Sequence, residues 1–121
     1  MKRRRLLRGI FKRVFRRHGK LKVVIVDGTD IRNRYAVNFV FAGHHLAYDF
    51  IPPNEIWIEK SVPAAERDFI LLHELYERNL MIKGSSYDYA HGKANDFEAF
   101  ARDHRDKVRE LLEQELQGGS F

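Results

Sequence analysis

The chain has 121 residues, a net charge of +5 and no cysteine. The lack of cysteine excludes disulfides and cysteine-based zinc sites, so a metal site has to use His, Asp, Glu, Asn or Tyr. No apolar run reaches the roughly 18 residues of a transmembrane helix.

The basic charge is concentrated at the N-terminus. Residues 1–22 hold 11 of the 22 Lys and Arg and no acidic residue, whereas residues 23–121 carry a net charge of −6. Apolar side chains recur there at helical spacing, which predicts a basic amphipathic helix over residues 1–20. No apolar region follows the charges, so a secretory signal is not expected and we expect a cytoplasmic protein.

Three partners are open for the basic segment Lys2 to Lys22. It could neutralise the phosphates of a nucleic acid, lie on an anionic membrane surface, or dock its apolar side chains on the acidic remainder of the chain. We favour docking, then nucleic acid, and rank the membrane last. Aromatic RNA-reading motifs are absent, so sequence-specific recognition is not predicted.

The middle of the chain has the pattern of an antiparallel sheet. Runs of β-branched and alternating apolar residues predict strands at 21–26, 35–41, 45–50 and 55–59, the last at an edge. Turns are predicted at Asp27–Asp30, at Ala42–His44 and at Pro52–Asn54, where Gly, Asp and Pro cluster.

Two helices are predicted after the sheet. The first begins near Ser61–Pro63 and runs to about Lys83 before Gly84, and the second covers roughly Tyr89 to Leu116. The predicted fold class is therefore α+β, with an N-terminal basic helix, a 3–4-stranded antiparallel sheet and a two-helix hairpin. Residues 21–117 are expected to form one domain and residues 118–121 a flexible C-terminus.

The first helix carries ionisable residues inside an apolar stripe. His73 and Glu77 are four residues apart and share a face, which Phe69, Ile70, Tyr76, Leu80 and Met81 flank. Glu74 is rotated off that line. Because unpaired buried charge costs several kcal/mol, something has to satisfy these groups, and a metal ion is one candidate.

The segment His73-Glu74-Leu75-Tyr76-Glu77 resembles the His-Glu-x-x-His helix of the zincin metallopeptidases, with Glu77 in place of the second His. The resemblance implies that His73 is a metal ligand and that Glu74 is the general base, and it implies an edge strand that pairs with substrate. A carboxylate also ligates zinc, so Glu77 keeps the geometry while moving the preference towards manganese or iron. The chain also resembles small bacterial and phage proteins that pair an LLHELxE helix with a YxxAHxxA segment.

The second helix offers the remaining ligands. His91 and Glu98 are seven residues apart and lie beside its apolar stripe. His73, Glu77 and His91 would make an open three-ligand site for zinc. Glu98 would be a fourth ligand, or a carboxylate that fixes a histidine tautomer.

The leading hypothesis is a metal-dependent hydrolase, a minimal zincin-like peptidase acting on a peptide or protein substrate. Two alternatives remain open. One is a non-enzymatic nucleic-acid-binding accessory protein, in which the His and Glu residues form a buried polar network without metal. The other is a metal site that serves structure only.

Overall fold

The structure is a computed structural model that describes residues 12–34 and 41–118. Its contacts divide the chain into two compact units, Met1–Pro63 and Ala64–Phe121. Most of the strand predicted at 35–41, the start of the basic tail and the C-terminus from residue 119 lie outside the described residues. The fold class is α+β, as predicted, and the single domain over 21–117 stays a prediction.

The first unit contains a four-stranded sheet of mixed direction, in the order β1-β2-β4-β3. Strand β1 (Lys12–His18) pairs antiparallel with β2 (Leu21–Val26), and β3 (Ala42–His44) pairs antiparallel with β4 (Glu55–Glu59). Strands β2 and β4 run parallel, so the prediction of a purely antiparallel sheet is wrong.

The predicted edge position of residues 55–59 is also wrong, because β4 lies between β2 and β3. Ile56, Trp57 and Ile58 are all fully buried. Successive side chains point to opposite faces, so both faces of β4 are covered. An unbroken apolar run of this kind is typical of an interior strand and indicates the position that β4 has in the sheet.

Residues 12–18 form a strand, which corrects the basic helix predicted over 1–20. Gly19, with a φ of 56°, and Lys20 make a two-residue turn between β1 and β2, a geometry that favours tight hairpins. In the hairpin, backbone N–H and C=O groups of β1 and β2 form hydrogen bonds with each other. A bulge between Val14 and Arg16 shifts the register. The few apolar side chains of this segment fitted a helix by spacing alone, but long-range pairing decided the outcome.

Helix α1 (Gly28–Arg34) replaces the turn predicted at Asp27–Asp30. The Asp27 carboxylate accepts from the backbone N–H groups of Thr29 at 3.1 Å and Asp30 at 3.3 Å. Asp27 is therefore a helix N-cap, one of the roles that its residue type favours besides turns. Glu59 accepts a short hydrogen bond from the N–H of Gly28, which ties the start of α1 to the end of β4.

Residues 45–50, predicted as a strand, form turns, in which the backbone N–H of Tyr48 donates to His44 O at 3.0 Å. The strand β3 occupies the residues predicted as a turn. Gly43 is needed in it because a Cβ there would come within 2.5 Å of the Tyr48 ring. The core of the unit consists of buried apolar side chains from the sheet, α1 and these turns, namely Val24, Val26, Ile31, Phe50, Ile51 and Trp57.

The second unit is helical. A 3₁₀ turn (Ala64–Glu66) leads into α2 (Arg67–Ile82), which is followed by α3 (Tyr87–Asp103), a 3₁₀ turn (Arg105–Lys107) and α4 (Val108–Gly118). The first predicted helix is confirmed in outline. The second is interrupted at His104, so three helices replace the predicted hairpin.

Two local features orient these helices. Gly84, with a φ of 108°, ends α2, and the Ser86 hydroxyl caps α3 by accepting from the N–H of Tyr89 at 3.2 Å. Helix α4 packs against α2, where the Asn79 amide donates to Glu115 O at 3.0 Å. Within residues 12–34 and 41–118, no helix is long and apolar enough to cross a membrane.

Candidate metal centre

The centre of α2 carries two buried polar side chains. His73 is 7% exposed and Glu77 is 2% exposed, and Leu71, Leu72 and Leu75 of the same helix are also buried. The helical repeat places His73 and Glu77 one turn apart on one face, with 3.4 Å between His73 Nε2 and Glu77 Oε2. The sequence-based placement of these two residues is therefore matched by the geometry.

Helix α3 brings His91 to the same carboxylate. His91 Nδ1 lies 2.7 Å from Glu77 Oε2, and the imidazole rings of His73 and His91 meet edge to face with centroids 5.1 Å apart. The His91 side chain is 43% exposed, whereas that of Glu77 is 3% exposed. The cluster is thus closed at Glu77 and open to solvent at His91.

The three residues could hold a metal ion. One ligand atom from each of His73, Glu77 and His91 lies within 4.8 Å of the others. Zinc bonds of about 2.0–2.1 Å in a tetrahedron put neighbouring ligand atoms roughly 3.4 Å apart, so the cluster needs little adjustment. Two imidazoles and one carboxylate are also a ligand set that zinc uses.

Glu98 meets the other side of the His73 ring. Its Oε1 lies 3.0 Å from His73 Nδ1, and an ionised carboxylate can only accept, so Nδ1 donates. Of the two roles predicted for Glu98, this placement favours the one that fixes a histidine tautomer. His73 Nε2 then faces Glu77, and a proton or a metal cation has to lie between imidazole and carboxylate.

Arg102 holds Glu98 in place. Its Nε and Nη2 donate to Glu98 Oε2 at 2.9 and 2.8 Å, and its Nη1 donates to Glu66 Oε1. These contacts raise the pKa of Arg102 although burial opposes the charge. Arg102 is not among the site residues predicted from the sequence. The signal was its position four residues after Glu98, the spacing of a helical ion pair.

His73 and Glu74 of the site have shifted pKa values in the metal-free protein. Burial raises the pKa of Glu74 to about 8, with help from the charges of Glu77 and Glu98 and against that of His73. Burial would lower the pKa of His73, but the neighbouring carboxylates, chiefly Glu77, raise it. Glu74 therefore favours its protonated form near neutral pH, and the protonation equilibrium of His73 is moved towards the protonated form.

Tyr87 borders the open side of the cluster. Its ring stacks on that of His91 with centroids 5.2 Å apart, and its hydroxyl lies 3.4 Å from His91 Nδ1. Burial and the charges of Glu77 and Glu74 raise the pKa of Tyr87. A neutral phenol at this place can donate a hydrogen bond to a ligand held near His91.

Residues His73, Glu77 and His91 are thus brought together, and Glu98 contacts the cluster through His73. No protein family, curated protein or solved structure matches the chain.

Proposed function

We propose that His73, Glu77 and His91 bind a divalent metal ion and that the protein is a metal-dependent hydrolase acting on peptide bonds. The convergence of the three ligand atoms within 4.8 Å carries this proposal. The resemblance of His73-Glu74-Leu75-Tyr76-Glu77 to the zincin helix supplies the reaction class.

Zinc is the proposed metal, because three protein ligands leave a fourth position for water. Manganese and iron are the alternatives, since Glu77 adds an oxygen donor to two nitrogens. A bound metal supplies Lewis acidity and lowers the pKa of a water molecule. Glu98 contributes by keeping a proton on His73 Nδ1, so that Nε2 remains available as a ligand atom.

Glu74 is the proposed general base. Its pKa of about 8 in the metal-free protein favours the carboxylic acid, which cannot accept a proton. A divalent cation nearby stabilises the carboxylate and lowers the pKa. With a metal ion held by His73, Glu77 and His91, Glu74 would be the carboxylate that takes a proton from the attacking water and gives it to the amine nitrogen as the C–N bond breaks.

Isothermal titration of chelator-treated protein with zinc chloride tests the metal. We expect one ion per chain, and loss of binding in His91→Ala and in Glu77→Gln. His104→Ala is the matched control, because this histidine lies on the second unit and its Nδ1 contacts Phe100 O at 2.8 Å. Absence of uptake by the intact protein would refute the proposal.

Turnover is tested separately with a mixed peptide library read by mass spectrometry. Glu74→Gln should keep the metal and lose cleavage, whereas Asp96→Asn on the exposed side of α3 should keep both. A structural metal site is the second candidate, since ligands from α2 and α3 would link the two helices. It predicts that chelation lowers the melting temperature while no library peptide is cleaved at any metal load.

A further inference from the structure

The two units have opposite charge. Residues 1–63 hold 14 Lys and Arg and five Asp and Glu, a net charge of +9, whereas residues 64–121 have a net charge of −4. No acidic residue precedes Asp27. In the described residues this basic character is carried by the hairpin of β1 and β2, so the hairpin is the element to which an anionic partner would be drawn.

Exposed cations occupy the outer strand and the turn of this hairpin. Arg13, Arg17 and Lys20 are exposed. Arg13 pairs with Ile25 and Arg17 with Lys22. Because Ile25 and Lys22 are three residues apart, they point to opposite faces of β2. The side chains of Arg13 and Arg17 consequently point to opposite faces of the hairpin, so β1 carries basic residues on both faces.

The pairing of Arg17 with Lys22 is unfavourable by itself. Like charges placed directly opposite each other on an antiparallel pair destabilise it. An anion close to both side chains would remove that repulsion. Because of the bulge, the step from Arg13 to Arg17 matches the three residues from Ile25 to Lys22. It therefore spans about 10 Å at the usual rise of a strand, a distance over which a nucleic-acid strand presents several phosphates.

We infer that the β1–β2 hairpin binds nucleic acid through the phosphate backbone, without sequence preference. In the described sheet β1 is an outer strand, so a phosphate backbone that runs along it can meet the bases on both of its faces. An anionic membrane fits less well, because a flat surface attracts the bases of one face at a time, whereas Arg13 and Arg17 lie on opposite faces. This activity is independent of the proposed metal site.

Fluorescence anisotropy with a labelled 20-base-pair DNA duplex tests the inference between 50 and 200 mM KCl. The triple variant Arg13→Gln, Arg17→Gln, Lys20→Gln should bind at least tenfold more weakly at 50 mM. Its salt slope should fall by about 2–3, since each lost phosphate contact removes about 0.9. The matched control is Lys83→Gln, Lys107→Gln, Arg109→Gln, which removes three exposed bases from the second unit and should bind like the parent.

Three outcomes would overturn the inference. One is equal weakening of both triple variants, which would show a net-charge effect. Another is binding to vesicles with 30% anionic lipid without binding to DNA. The last is self-association at low salt that the hairpin variant abolishes while DNA is not bound, since the hairpin would then contact the acidic unit of a second copy. Should the triple variant unfold, Lys20→Glu in the turn replaces it and must weaken binding in the same way.

Discussion

Oε1 of Glu98 lies 3.0 Å from Nδ1 of His73, across the packed faces of α3 and α2. This contact assigns the Nδ1 proton and turns Nε2 towards Glu77, so it prepares one ligand atom of the candidate site. Arg102 completes the arrangement by holding the other oxygen of Glu98.

Glu98→Gln should weaken zinc binding by about 10- to 100-fold, the range found when a carboxylate that supports a histidine ligand is removed. The neutral amide of the variant cannot form the ion pair with Arg102, and it no longer fixes one orientation of the His73 ring. Competition with a chromogenic chelator measures the dissociation constant. Glu110→Gln, an exposed carboxylate on α4, is the control, and equal affinities of the two variants would contradict this role of Glu98.

Stability of the metal-free protein should fall as the pH rises from about 5 to 8. Between the ordinary pKa of 4.5 and the folded pKa of about 8, the folded chain keeps a proton on Glu74 that the unfolded chain has released. Unfolding is then favoured by up to about 1.4 kcal/mol for each pH unit. His73, with its raised pKa, adds a loss of the same sign as the pH rises through its folded pKa.

Glu74→Gln removes the larger part of this dependence. Urea unfolding at pH 5, 6.5 and 8, with a chelator present, measures the free energy of unfolding. We expect this free energy to depend less on pH in the variant than in the parent, and the variant should be stabilised most at pH 8. Asp96→Asn, exposed on α3, should follow the parent. Parallel profiles for Glu74→Gln and the parent would show that Glu74 ionises normally.

Zinc affinity should rise with pH, whereas the stability of the metal-free protein falls. His73 Nε2 has to be free of a proton before it binds a metal, and the carboxylates around His73 raise its pKa although burial opposes them. We expect affinity at pH 5.5 to be at least tenfold weaker than at pH 7.5. Calorimetry in two buffers of different ionisation enthalpy should also detect release of at least one proton per ion at pH 6. Proton-independent binding would place the metal elsewhere.

Two glycine substitutions should have opposite effects on stability. Gly92 lies within α3, and a Cβ added there meets nothing within 4 Å, so Gly92→Ala should stabilise by about 0.5–1 kcal/mol. Gly43→Ala would place a Cβ within 2.5 Å of the Tyr48 ring and should destabilise by about 1–3 kcal/mol. Thermal and urea unfolding measure both. The reverse order would contradict the packing described for β3.

The helical part of the site was predictable because its geometry is local. His73 and Glu77 share a face through the helical repeat alone. His91 could be anticipated since a short connection makes consecutive helices antiparallel neighbours. The position of Glu98 against Nδ1 rather than among the ligand atoms depends on how deeply α3 packs on α2, and residue spacing does not contain that information.

The sheet could be predicted only in part for the same reason. Strands β2 and β4 were recognised from their apolar residues, but their parallel pairing joins residues such as Val24 and Trp57, which are far apart in the chain. The local pattern of a strand does not select its neighbour. Asp27 shows a second limit, because an aspartate before glycine favours a turn and a helix cap alike.

The connection Lys83–Ser86 separates α2 from α3 by only four residues. An added residue there would change where α3 begins and the direction in which it leaves α2. His91 and Glu98 both belong to α3, so such an insertion would carry the two away from His73 together. Homologues that keep the site should therefore keep the length of this connection. Insertions and deletions should instead accumulate after Asp103, because His91 and Glu98 both precede this end of α3.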